Sequence, residues 1–303
     1  MRLFIIKIIL FTAIFLIIDK IFILIRSTSS NKEYDKRLEL VLKGEMNKDI
    51  VIIGSSRGAR AIIASQIQDS LNISCHNLSY LKSNIEFHEF LLKKLIEHND
   101  KPKIILLTID EEAEFSKSVL EFRIDKLKPL VNYAEIRDEL VLKGEKNYVL
   151  SNFFVLHQLN RSNFDFRQKK ISRYDSISSC GSMPLASQYK EKGFIKFNEH
   201  FNNNYNSKNE EATKLISFKN FEKLCLNNNI KLIYVFPPNY RNSNSNFLRR
   251  FKELSDPKTI IYYYNENEMK YKDEVYFLDE GHLNAKGAVI FTDEIIAYLR
   301  TLQ

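Results

Sequence analysis

Two stretches far apart in the chain carry residues able to act together as a nucleophile and its base. Ser56 stands in Gly54-Ser55-Ser56-Arg57, directly after the apolar run that starts at Asp49. His282, one of six histidines, follows Asp279 by three residues in Asp279-Glu280-Gly281-His282. A serine hydroxyl is a poor nucleophile until a base takes its proton, and that base needs an acceptor that fixes its tautomer and stabilises the imidazolium. Asp279 and His282 supply both roles if their i, i+3 spacing falls on a helical turn, leaving Asn284 to cap the last helix. A serine in the first turn of a helix also lies near unpaired backbone N–H groups and the positive end of the dipole, which favours negative charge developing on a substrate. Alone, Gly-Ser-Ser is the ordinary sequence of a helix-capping turn and Asp-x-x-His that of a surface pair. Their joint placement, one after the first strand and one opening the last helix, is what links them.

The elements around these residues alternate. Asp49–Gly54 reads as a buried parallel strand, 57–71 as a helix, Ile73–Leu78 as a second strand, Glu86–His98 as an amphipathic helix and Lys103–Ile109 as a third strand. The rhythm stops over Ser116–Lys219, which reads as a mainly helical insertion with a polar Asn/Ser/Lys-rich stretch at Asn198–Asn209. It returns with a helix from Ala212, a strand Ile230–Phe236 stopped by Pro237-Pro238, a helix from Asn246, a strand near Thr259–Tyr263 and a closing helix from Asn284. Strand and helix in alternation predict an α/β fold: a mostly parallel sheet between two layers of helices, in the manner of flavodoxin. In such sheets sites form at the carboxyl ends of strands. That rule points to the Ser56 loop, to Asn77-Leu78-Ser79, to Asp110 and to Pro237-Pro238-Asn239-Tyr240-Arg241.

Together the two stretches resemble the SGNH, or GDSL-type, serine hydrolases. The family's first block is similar to Ile52-Ile53-Gly54-Ser55-Ser56, with Ser55 where Asp is usual, and its last block is similar to Asp279–His282 continued by Leu283-Asn284-Ala285-Lys286-Gly287-Ala288. The resemblance covers residues 49–303 apart from the insertion at about 116–219. It implies a triad of Ser56, His282 and Asp279, and within the family it points to the membrane-anchored envelope branch, some of whose members move or remove acetyl and other acyl groups on polysaccharides. The expected partner is then an acylated carbohydrate or another ester, and no cofactor is implied.

Two blocks depart from the pattern. The family's oxyanion-hole Gly is replaced by Asn77-Leu78-Ser79-Tyr80, so the Ser79 N–H is the expected donor. Its Gly-x-Asn-Asp block is replaced by Thr108-Ile109-Asp110, leaving Asn77, Asn84 or Arg57 to compensate. Losing one such donor costs on the order of 100- to 1000-fold in turnover. A degraded site that only binds or helps assemble envelope polysaccharide is therefore the alternative reading.

Tyr240 and Arg241 are candidates to grip a sugar or acyl donor, because sites gather on such loops. Asp110, Glu111, Glu112 and Glu114 have the oxygen ligands for a hard cation, but such a run reads better as a solvated loop. His76, His88, His98, His157 and His200 show no ligand-pair spacing, so no metal is expected. The odd cysteine count, Cys75, Cys180 and Cys225, argues against a disulfide framework.

The 303 residues carry a net charge of +7, with basic residues dispersed in pairs such as Lys93-Lys94, Lys169-Lys170 and Arg249-Arg250. Without aromatic interleaving, this spacing excludes a nucleic-acid module. Residues 1–26 are almost wholly apolar, long enough to cross a bilayer as a helix, and no small-residue cleavage site follows them. They are expected to form an uncleaved anchor, joined through a linker and helix at 27–48 to the α/β domain. The Asp19-Lys20 pair is costly in lipid unless it lies at an interface. Counting charges, Lys20, Arg26, Lys32, Lys36 and Arg37 outnumber Arg2 and Lys7, which by itself directs the body of the protein to the cytoplasm. The family resemblance implies the opposite, an extracytoplasmic catalytic domain.

Overall fold

A computed structural model describes residues 1–165, 167, 176–185 and 205–302. His200, the Lys169-Lys170 pair and most of the polar Asn198–Asn209 stretch lie outside these residues. The chain forms two compact units, one of residues 1–39 and 123–171, the other of residues 40–122 and 172–303.

The larger unit is built on five parallel strands: β1 (Ile50–Ile53), β2 (Cys75–Asn77), β3 (Ile104–Thr108), β4 (Lys231–Phe236) and β5 (Ile260–Tyr263), in the order β2-β1-β3-β4-β5. The order reverses between β1 and β3, the kind of switch point where open α/β sheets place ligands. Side chains alternate across the sheet as the two-residue period of a strand requires. Val51, Ile53, Ile105, Leu107, Leu232, Tyr234 and Phe236 enter one core, shared with helices Ile85–His98, Ala212–Asn227 and Ser245–Leu254. Ile50, Ile52, Leu106, Ile233 and Val235 enter the other, shared with helices Ala64–Leu71 and Ala285–Arg300. Aromatic rings fill the first core, with Tyr234 edge-on to Phe251 at 4.9 Å and Phe236 to Phe251 at 5.1 Å.

Three local expectations are corrected. The helix read over 57–71 is two helices, Ser56–Ala61 and Ala64–Leu71, broken by extended backbone at Ile62 and Ile63. The break is held by hydrogen bonds from elsewhere: Asn77 Nδ2 and Ser182 Oγ donate to the Ile62 carbonyl, and the Ile63 N–H donates to Thr292 Oγ1. The helix expected within 27–48 is confined to Arg37–Leu42. Asp279 and His282 lie not on a helical turn but across a hairpin, β6 (Phe277–Asp279) paired antiparallel with β7 (His282–Leu283).

The smaller unit joins the apolar helix Arg2–Ile21 to short helices of the insertion, among them Ala134–Leu142, Tyr148–Phe153 and Val155–Gln158. The apolar stretch at its start, Arg2–Asn31, is long and apolar enough to cross a membrane. Residues 176–185 fold with the α/β unit, although the sequence shows them in the middle of the insertion.

Candidate active site

The site is assembled where the carboxyl end of β1 runs into helix Ser56–Ala61. Ser55 caps that helix, its Oγ accepting the Arg57 N–H at 3.2 Å and donating to Asp110 Oδ1 at 2.7 Å. The cap leaves Ser56 as the first helical residue, and its N–H has no acceptor among the described residues. Gly54 and Gly58 are glycines because Thr108 of β3 packs onto them. A Cβ on Gly54 would lie 1.8 Å from Thr108 Oγ1, and one on Gly58 would lie 2.5 Å from it.

From the other end of the chain, the β6–β7 hairpin brings its two functional side chains to the same place. Ser56 Oγ lies 2.8 Å from His282 Nε2, and His282 Nδ1 lies 2.8 and 2.9 Å from the two Asp279 oxygens. A carboxylate only accepts, so Nδ1 carries the proton and Nε2 is left to accept from the Ser56 hydroxyl. The Gly281 N–H donates to Asp279 Oδ1 at 2.9 Å, and the Glu280 carbonyl accepts the Tyr240 N–H at 2.8 Å, which fixes the hairpin loop. Burial raises the Asp279 pKa, but the hydrogen bond and charge of His282 outweigh it and hold the carboxyl below its ordinary value. Asn284 caps the closing helix as expected, its Oδ1 accepting from Lys286 and Gly287.

The remaining sequence candidates fall into different surroundings. The Ser79 N–H is bonded to Asn77 Oδ1 at 3.0 Å, and the Asn77 amide donates to the carbonyls of Gly58 and Ile62. These two residues brace the loop after β2. Asn84 caps helix Ile85–His98 through the Phe87 N–H. Tyr240 packs its ring against Phe277 at 5.1 Å inside the core. Arg241 forms ion pairs with Glu111 at 3.0 Å and Glu112 at 3.3 Å. Of the expected donors only Arg57 remains by the serine: its buried guanidinium donates to the carbonyls of Ile109 and Pro237, at the ends of β3 and β4, and its Nε has no hydrogen-bond partner among the described residues.

The acidic run after β3, read as a solvated loop, is largely buried. Glu111 and Glu114 are almost inaccessible, and distant residues hold the run: Asn239 donates to Glu111 at 2.6 Å and Asn244 to Glu112 at 2.7 Å. Glu111 also holds φ 51°, ψ −129°, a conformation that costs a non-glycine residue about 1–3 kcal/mol and recurs at functional sites. Burial pushes the Glu111 carboxyl up, against the charges of Arg57 and Arg241. It pushes Asp110 up as well, against Arg57, the Ser55 hydrogen bond and His282. Glu114, buried and facing Asp110, is raised to about 8, and one of its oxygens accepts the Asp110 N–H at 3.0 Å.

Sequence reasoning missed the segment 176–185. The Met183 N–H donates to the Ala59 carbonyl, Ser182 Oγ accepts from the Ala64 N–H, and the Leu185 carbonyl accepts the Ala285 N–H at 2.6 Å. It therefore ties helices Ser56–Ala61 and Ala64–Leu71 to the start of the closing helix. Its only sequence signal is Cys180-Gly181-Ser182, where Gly181 at φ +82° packs against the Asn77 carbonyl. A separate groove lined by Lys219, Leu226, Ile230 and Lys258 lies at the opposite ends of β4 and β5 and contains none of Ser56, Asp279 and His282. In comparisons with known proteins, no family model matches the chain, and no curated protein matches it either.

Proposed function

We propose that this protein is an SGNH-like serine esterase or O-acyltransferase with a three-layer α/β/α catalytic domain. It is anchored by its uncleaved N-terminal helix and acts outside the cytoplasm on acylated, chiefly acetylated, envelope carbohydrate. The single observation that carries the reading is the unbroken line from Ser56 Oγ through His282 to Asp279, with links of 2.8 Å. Ser56 Oγ attacks the acyl carbonyl while His282 Nε2 takes its proton, and Asp279 stabilises the imidazolium without itself being protonated. Collapse of the tetrahedral adduct expels the alcohol, protonated by His282, and leaves an acyl-serine. Water, deprotonated in turn by His282, gives hydrolysis; a sugar hydroxyl gives transfer.

The oxyanion is met by the Ser56 N–H at the helix start. Asp110 does not oppose it alone: its carboxyl accepts from the Ser55 hydroxyl and lies in the field of the Arg57 guanidinium, whose positive charge offsets it. This arrangement favours an active enzyme over the degraded, binding-only alternative. Full-length protein in detergent is expected to hydrolyse p-nitrophenyl acetate and to be labelled at Ser56 by a fluorophosphonate. Absence of both, with glycan binding unchanged in Ser56→Ala, would leave the binding protein as the correct reading.

A further inference from the structure

Asp19 is the one acidic residue in the apolar helix Arg2–Ile21, and it is 3% exposed. Its two carboxylate oxygens accept the N–H groups of Val155, at 2.8 Å, and Leu156, at 2.9 Å, the first two residues of helix Val155–Gln158. One turn nearer the amino terminus, Phe15 meets Phe154 edge-on at 5.8 Å, and one turn beyond Asp19, Phe22 meets Phe164 at 6.1 Å. Arg26 donates to Gln158 at 2.5 Å. The insertion is thus clamped along the last two turns of the helix and the residues just after it.

That clamp fixes a depth. At 1.5 Å per residue the 20-residue helix is about 30 Å long, the thickness of a hydrocarbon core, so its last turns mark the boundary with the headgroups. The insertion helices beside them turn large apolar side chains outward: Tyr148 is 67% exposed, Val149 56%, Phe153 66%, and Leu150 and Leu156 are exposed as well. Lys20, beside the Phe153 carbonyl, offers an ammonium at the same level. An outward apolar face at this depth, flanked by a tyrosine and a lysine, has the character of an interfacial element.

From this placement we propose that the helical pair Tyr148–Phe153 and Val155–Gln158 is a second membrane contact, seated in the headgroup–acyl boundary of the bilayer that the N-terminal helix crosses. The proposal rests on the membrane-span reading given above. Its occupant is lipid, because the face continues laterally from a helix surface that itself needs lipid. Interfacial helices bury their apolar side about 5–10 Å below the headgroups, a depth the Phe15–Phe154 contact already reaches.

The chain has no tryptophan, so single substitutions give clean reporters. Full-length Phe153→Trp, Phe11→Trp and Ile216→Trp proteins would be reconstituted in phosphatidylcholine vesicles brominated either near the headgroups or near the acyl-chain ends. All three positions are exposed, so tryptophan is accommodated. Phe153→Trp is expected to emit to the blue and to lose most fluorescence with the shallow bromines. Phe11→Trp should lose most with the deep ones, and Ile216→Trp should respond only to aqueous iodide. Val149→Trp, a second reporter on the same face, should follow Phe153→Trp. If Phe11→Trp is quenched by bromine while the tryptophans at 153 and 149 respond only to iodide, the interfacial contact is overturned and the anchor stands. If they are shielded from both quenchers, a protein partner covers the face and the proposal is again overturned. If Phe11→Trp is itself unquenched by bromine, the span reading fails and this proposal with it.

Discussion

Asp19 and Glu114 are both removed from water, 3% and 1% exposed, yet the two units treat their carboxylates differently. Asp19 is met by two backbone N–H groups and by Lys20 at 3.4 Å. Its role is completed locally, as a clamp between two helices. Glu114 faces a second carboxyl, Asp110, has one buried oxygen with no hydrogen-bond partner among the described residues, and shares the field of Arg57 with its neighbours. The contrast separates a polar group that secures a fold from polar groups left incompletely paired next to Ser56, the proposed nucleophile, where natural proteins tolerate unsatisfied chemistry.

The largest expected effect isolates the half of that comparison that holds the proposed chemistry. Ser56→Ala should lower ester turnover by about 10⁴- to 10⁶-fold, as loss of a triad nucleophile does elsewhere, while leaving the melting temperature nearly unchanged. Asp279→Asn should cost on the order of 10⁴-fold, because an amide donating toward Nδ1 favours the tautomer that cannot accept the serine proton. Rates with p-nitrophenyl acetate check both; an Asp279→Asn enzyme of near-normal activity would show that the carboxylate is not the orienting group.

A smaller effect tests the floor of the site rather than its chemistry. Gly54→Ala forces a methyl onto Thr108 Oγ1 and should destabilise the α/β unit by about 1–3 kcal/mol, the usual range for overpacking. Thr108→Ala in the same chain should recover part of that loss in denaturant titrations. In the other unit, Asp19→Ala strips the acceptor from the buried Val155 N–H, at roughly 1–3 kcal/mol, and from the part-buried Leu156 N–H, at less. Amide exchange at Val155 and Leu156 should accelerate, and Asp19→Asn, which keeps one acceptor oxygen, should fall between. Exchange unchanged in Asp19→Ala would mean that the clamp contributes nothing.

These expectations divide along the same line as what was legible in the sequence. Ser56 could be found because it stands between an apolar strand run and a helix, and Asp279 and His282 because their i, i+3 spacing falls just before the closing helix. The hairpin carrying Asp279 and His282 could not, since strands of three and two residues have no periodicity to read. Ile62 and Ile63 follow the helical run, and hydrogen bonds from Asn77 and Ser182 to the Ile62 carbonyl and from the Ile63 N–H to Thr292 hold the break there. The acidic run 110–114 reads as solvated because charge alone was visible. What holds it, Asn239, Arg241 and Asn244, lies about 130 residues away along the chain.

The subtlest test of the comparison is a pH titration of stability at Glu114. A carboxyl raised from 4.5 to about 8 by folding binds more protons in the native state than in the unfolded state between those two values. Stability from this group is thus fully present below its unfolded pKa and declines as pH rises toward about 8. Glu114→Gln keeps an acceptor for the Asp110 N–H and removes the charge that burial opposes. It should match the parent protein near pH 4.5 and exceed it by a margin growing toward pH 9, on the order of 1 kcal/mol, or a few degrees in melting temperature. The gain is smaller than an isolated buried carboxyl would give, because Asp110 ionises more readily once its neighbour is neutral. A variant equally less stable than the parent at both pH values would show that Glu114, like Asp19, serves through its hydrogen bond rather than enduring its charge.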